Sequence, residues 1–143
     1  MTQRSIAPDV FRIDETGAVL LGGYSATSGQ FHFPISEVCP YSGADDVVAV
    51  ELSTVGTVWG HTAVTAAPPG YEGPVPYGFG VVELTTERLR VITRFTVADP
   101  TAMAYGDHVE LCTDVVGVDP DGVEIVTWAF RPAASHDSTE DAR

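Results

Sequence analysis

The sequence contains no lysine. All 7 of its basic residues are arginines, set against 20 acids for a formal net charge of −13. A field of that sign repels polyphosphate backbones, so nucleic-acid binding is disfavoured. It also repels the phosphates of a nucleotide-like cofactor wherever arginines are not gathered locally. No apolar run approaches the ~20 residues needed to cross a bilayer. The start, "MTQRSIAPDVFRIDETG", lacks the basic-then-apolar order of a secretory signal. A soluble, cytoplasmic protein with no nucleic-acid or membrane partner is expected. Cysteine is nearly absent too: Cys39 and Cys112 are far apart, and in a reducing compartment they read as two free, partly buried thiols.

Catalytic patterns are also missing. There is no G-x-S-x-G elbow to present a serine nucleophile. Of the 4 histidines, His32, His61, His108 and His136, only His61 lies in an apolar-patterned run where it could sit near a cleft. A histidine on a strand is more often a hydrogen-bonded structural group than a base. The acid pairs Asp45-Asp46 and Asp119 with Asp121 fall in turn-like segments, and turn chemistry accounts for them. No catalytic residue is assigned, and no cofactor or metal is expected.

What is present is strand after strand. "VVAVELSTVGTVWGHTAVTA" holds two β-rich runs broken at Gly56, the second alternating Val58, Gly60, Thr62 and Val64 against Trp59, His61 and Ala63. "FGVVEL" (79–84) and "RLRVITRF" (88–95) read as a hairpin. "HVELCTDVVGV" (108–118) and "VEIVTWAF" (123–130) flank "DPDG", a strong hairpin turn. A single helical turn is expected around Thr101–Ala104. With so little helix, the economical closure is an all-β, small Greek-key barrel of the OB type, which leaves no long open edge. It is expected over residues 47–132, followed by a small, polar, disordered tail at 133–143. Residues 1–17 form an extension without convincing period, holding a helical turn at most.

Two further stretches invite function. The loop "AAPPGYEGPVPYGFG" is rich in proline and glycine and carries Tyr71, Tyr77 and Phe79. Such a loop is costly unless it packs on something, either the barrel end or a partner. Arg88, Arg90 and Arg94 alternate along one run and are expected on one face. There they form either a charged, blunted edge or a positive stripe for an acidic partner or CoA phosphates.

Residues 18–46 form a separate small module. The turns Ser25-Ala26-Thr27-Ser28-Gly29 and Cys39-Pro40-Tyr41-Ser42-Gly43 flank the aromatic run Gln30–Pro34. That is the rhythm of a zinc ribbon, whose C-x-x-C-G knuckles each offer two thiolates to one metal. About 25 residues cannot bury enough apolar surface to stand alone.

In order, "LLGGYSATSGQFHFP", "VCPYSG", "GTVWGHTAV", "PVPYGFGVVEL", "RLRVITRF", "YGDHVEL" and "WAFRP" resemble the motifs of one family, over about residues 19–132. These are the acyl-CoA-associated OB-fold proteins with a rubredoxin-like zinc ribbon, known as domain of unknown function 35. The resemblance implies a non-catalytic accessory subunit. It would bind a thiolase-like or lipid-transfer-protein-type aldolase, help shape its acyl-CoA site and form a hetero-oligomer, with steroid side-chain degradation as one setting. An oligonucleotide-binding module, or a small acyl-CoA enzyme using His61, are the competing expectations. The chain departs from the family at the metal, where the ligand positions align with Ser25, Ser28, Cys39 and Ser42. One thiolate and three hydroxyls, even with His32 added, leave a zinc site open. Packing must then replace the metal, and Tyr24, Phe31, Phe33 and Tyr41 are the groups expected to supply it.

Overall fold

The computed structural model describes residues 2–15, 17–71 and 73–133. Its strands are β1 (Gln3–Ser5), β2 (Phe11–Asp14), β3 (Gly17–Ser25), β4 (Gln30–His32), β5 (Val47–Glu51), β6 (Val55–Val64), β7 (Tyr77–Leu84), β8 (Leu89–Phe95), β9 (His108–Val118) and β10 (Glu124–Pro132). The helical turn expected near Thr101 is a 3-10 turn at Pro100–Ala102, started by Asp99, whose carboxylate accepts from the Thr101 N–H. The tail expected to be disordered lies, from residue 134 on, outside the described residues.

Five strands close a barrel. β6, β7 and β8 are antiparallel neighbours, and β10 pairs antiparallel with β9, which returns to β6. The seam is a short parallel contact of β8 with β10 at Arg94–Ala129 and Phe95–Phe130. Counted within the barrel, the order is 1-2-3-5-4-1, the Greek-key closure of an OB fold. The all-β expectation and its barrel hold.

Alternation explains the strands. Along β8, Leu89, Val91, Thr93 and Phe95 point inward while Arg90 and Ile92 stand exposed. Together with Val58, Val82, Leu84, Val109, Val126 and Phe130 they fill the interior. The hairpin turn before β10 is held by Asp119, whose Oδ1 accepts from the N–H groups of Asp121 and Val123, while Gly122 supplies a left-handed φ of 85°.

The smaller sheet uses β3 as its spine: β2 pairs with the first half of that strand, β4 and β5 with the second. Tyr24 and Phe31 pack ring to ring at 4.8 Å, and Phe33 meets Trp128 of the barrel edge-on at 5.3 Å. Tyr41, the fourth aromatic expected to pack, is instead 54% exposed.

Two expectations need correction. Residues 1–17 hold more than a single helical turn. β1 joins the barrel sheet in parallel with β10, and after one helical turn closed by Phe11 N–H to Ala7 O, β2 buries Phe11 completely. The partner of β1 lies 121 residues further on, so no local period announces that strand, while β2 pairs with the neighbouring β3. The simple alternation along 58–64 also fails. A bulge shifts the register between Val58 and Gly60 and leaves Trp59 turned outward, 43% exposed.

Candidate functional site

The outer face of β6–β8 is the most distinctive surface. Odd-numbered residues of β7 point outward, and across it Phe79 pairs with Arg94, Val81 with Ile92 and Glu83 with Arg90. Phe79 is 39% exposed and Ile92 63%. The Arg90 guanidinium lies over the Trp59 ring, 4.1 Å from its centroid, so the bulge of β6 brings an indole and a cation together. Large apolar groups left in water beside a stacked arginine mark a surface that suits a protein partner better than solvent.

Beside this face the proline-rich loop is latched down. Arg94 donates from Nε to Asp114 Oδ2 at 2.7 Å and from Nη2 to the Tyr71 hydroxyl at 3.2 Å, and its guanidinium lies 4.1 Å from the Tyr77 ring centroid. Tyr71 in turn donates to the Pro74 carbonyl at 2.8 Å. Burial opposes the charge on Arg94, but Tyr71 and Asp114 outweigh it and hold the guanidinium firmly protonated. Tyr71, Tyr77 and Arg94 therefore fasten the loop to the barrel, and a ligand would have to break that latch to use them.

The expected single face of three arginines is corrected. Arg90 and Arg94 share the outer face, but Arg88 precedes β8 in the hairpin turn, at a left-handed φ of 57° with its N–H bonded to Leu84 O. It sits exposed beside a shallow cleft lined with Tyr41 and Phe31. His61 is exposed on β6 opposite Gly80, and among the described residues no acid is bonded to it to orient it as a base. Sequence reasoning missed Trp59, Ile92 and Asp114. Trp59 is hidden by the bulge, and Asp114 sits 20 residues from the arginine that it binds.

The positions that resemble ribbon ligands do come together, but as hydrogen-bonding groups. Ser25 is fully buried and donates to Asp46 Oδ1 at 2.6 Å, while Asp46 Oδ2 accepts from both the N–H and the hydroxyl of Thr27 at 2.8 Å. Ser28 N–H reaches Ser25 Oγ at 3.3 Å, and the Cys39 thiol lies 3.4 Å from Ser28 Oγ. Hydrogen bonds from Ser28 and then Ser42 pull the Cys39 thiol down to about 6, against its burial. His32 is buried with Nε2 accepting from Ser36 N–H at 3.3 Å, and its Nδ1 has no partner among the described residues. A closed zinc site needs four ligands, deprotonated where they are thiols. Among the described residues no three of His, Cys, Asp and Glu converge as a metal set, so the donors do not fit the zinc of a ribbon.

A cavity of about 710 Å³ opens between the β2–β3 hairpin and β9, lined in part by Ile13, Asp14, Cys112 and Arg131. Burial pushes the Cys112 thiol up, and Thr96 Oγ1 sits 3.3 Å from the sulfur. A thiol kept protonated is a poor nucleophile. Arg131 is paired with Glu110 at 2.8 Å. Among the described residues around the cavity, no nucleophile, base and orienting acid assemble. No helix among the described residues is long and apolar enough to cross a membrane.

Comparison with known proteins agrees with this architecture. Residues 49–114 match the family model described as ChsH2, C-terminal OB-fold domain. The chain is 31% identical over 114 residues to a DUF35 domain-containing scaffold protein of Pyrococcus furiosus, spanning 79% of this chain and 82% of the relative. It is 30% identical over 126 residues to the benzoylsuccinyl-CoA thiolase subunit BbsA of Thauera aromatica, spanning 87% and 85%. Among solved structures, a chain of an Ltp2-ChsH2(DUF35) aldolase superposes with a TM-score of 0.63 at 26% identity, covering 81% of this chain and 86% of the other. The chain belongs to the DUF35 family.

Proposed function

We propose that the protein is a non-catalytic accessory subunit. It binds and stabilises a thiolase-like or lipid-transfer-protein-type aldolase acting on acyl-CoA substrates and helps shape that enzyme's acyl-CoA site, with steroid side-chain thioesters as one substrate class. The observation that carries this reading is likeness over most of the chain to a thiolase subunit and to a chain of an aldolase. The exposed Trp59, Phe79 and Ile92 beside Arg90 support it, since aromatic residues and arginine are enriched at the buried centres of interfaces. Of the sequence candidates, Phe79 and Arg90 belong to this face. Tyr71, Tyr77 and Arg94 hold the loop beside it, Arg88 stands at the hairpin turn, and His61 lies on β6. The complex is a cytoplasmic hetero-oligomer without nucleic acid or membrane; the ribbon-derived module, expected over 18–46, takes β5 of the expected 47–132 barrel into its sheet, and the barrel strands run from Val55 to Pro132.

Co-expression with an acyl-CoA thiolase or aldolase encoded beside it, followed by size exclusion, tests this. Co-elution and a gain in the enzyme's stability or turnover are expected. A Trp59→Ala, Ile92→Asp double variant is expected to keep its unfolding midpoint and lose co-elution. Independent elution of the unmodified chain, with partner activity unchanged by its presence, would sink the reading.

A further inference from the structure

The four positions that resemble ribbon ligands lie in contact, yet three of them are serine. A serine hydroxyl stays protonated near neutral pH and gives zinc almost nothing, so some other cross-link must hold two turns that the small sheet cannot stabilise by area alone. The structure contains a continuous one. Asp46, at the entrance to β5, accepts at both carboxylate oxygens from the first turn: Ser25 Oγ at 2.6 Å, Thr27 N at 2.8 Å and Thr27 Oγ1 at 2.8 Å. Ser25, having donated its proton to Asp46, accepts from Ser28 N–H at 3.3 Å. Ser28 Oγ then meets the Cys39 sulfur of the second turn at 3.4 Å. The second turn closes on its own backbone, Cys39 N–H to Ala44 O and Gly43 N–H to Cys39 O, each at 2.8 Å.

We propose that the ribbon-derived module is cross-linked by this chain, Asp46–Ser25–Ser28–Cys39, in place of a metal, with Asp46 as its anchor. The polarity of the site is thereby reversed. A zinc knuckle gathers anions around a cation, whereas here hydroxyl and amide donors gather around a carboxylate. Charge-assisted hydrogen bonds are roughly twice as strong as neutral ones, and successive links in a chain polarise one another. Asp46 also explains the buried Ser25, which would otherwise carry a hydroxyl out of water without an acceptor. The anchor reaches across 21 residues, so the first turn is tied to the strand that pairs with β3, and the sheet is pinned with it. The inference is independent of the accessory-subunit reading and is tested on the chain alone.

The full chain, expressed with added zinc, is assayed for bound metal by mass spectrometry and for its unfolding midpoint with and without EDTA. Substoichiometric zinc and superimposable unfolding curves are expected. Asp46→Asn and, separately, Ser25→Ala are expected to lower the midpoint by several degrees with no change in metal content. The triple variant Ser25→Cys, Ser28→Cys, Ser42→Cys is expected to take up stoichiometric zinc, and to show the absorption of a tetrahedral thiolate site when loaded with cobalt. Stoichiometric zinc in the unmodified chain, a midpoint that falls on chelation, or an Asp46→Asn variant as stable as its parent would each overturn the proposal. A triple variant that takes up no zinc would overturn the placing of these four positions at a knuckle.

Discussion

Single side chains here often serve a purpose that their immediate neighbours do not reveal. Asp119 is the turn residue its sequence context predicts, because its partners Asp121 and Val123 lie within the same hairpin. The Val123 N–H, then that of Asp121, and then Arg4 hold its carboxyl below the usual range, against some burial. A depressed folded-state value means stability that is complete above the unfolded carboxylate range and is lost as the pH falls through the folded value. Asp119→Asn should therefore unfold at a lower temperature than the parent at neutral pH, and the gap should close as the solution is taken below about pH 4. Melting both proteins across that range by circular dichroism checks the sign. Asp46 shows the opposite case. Its sequence context suggests plain turn chemistry, yet its partners stand 19 and 21 residues away, a separation that no local pattern reports. Arg94 is similar: its spacing from Arg90 located the face, but Asp114 and Tyr71, which engage it, lie on other elements.

Strands were read well wherever alternation and turn chemistry agreed. The hairpins β7–β8 and β9–β10 emerged within a residue or two of their true bounds, because valine-rich runs flanked "TTE" and "DPDG". The reading failed where geometry departs from period two. The bulge in β6 inserts Trp59 and shifts the residues from Gly60 on out of step with Val58, and the left-handed Arg88 delays the start of β8 by one residue. Gly80 marks the closest approach at that bulge, since a Cβ there would lie 2.1 Å from the Gly60 carbonyl oxygen and 2.7 Å from His61 Cα. Both atoms are backbone and cannot move cheaply. Gly80→Ala should cost about 1–3 kcal/mol, in line with overpacking elsewhere, read as a lower urea midpoint with an unchanged slope. The same substitution at Gly60, whose Cβ would meet nothing within 4 Å, is the control and should cost less.

The two sheets share one interior. Phe11 from β2 and Leu20 from β3 are fully buried in the same cluster as Phe130 and Val126 of the barrel, and Phe11 packs edge-on to Trp128 with centroids 6.0 Å apart. Phe11→Ala should thus destabilise the entire protein by about 3–5 kcal/mol. Unfolding should remain a single transition, followed by the two tryptophans and by far-ultraviolet circular dichroism together. Two separated transitions would mean that the smaller sheet melts by itself. Little of this coupling could be read from residues 1–17, because β1 pairs with β10 and Phe11 meets Trp128, both more than a hundred residues away, although β2 pairs locally with β3.

The parallel contact between β1 and β10 also fixes when the protein can take shape. Gln3 lies beside Glu124, a partner 121 residues further along the chain. On the ribosome the first strand emerges long before the last, and both the barrel seam and the ring that covers Phe11 arrive only with the final segment. Contacts of such span are slow to form and reward nothing until they close. Closure of the barrel therefore waits until β10 has left the exit tunnel, and until then the first strand has no edge to join.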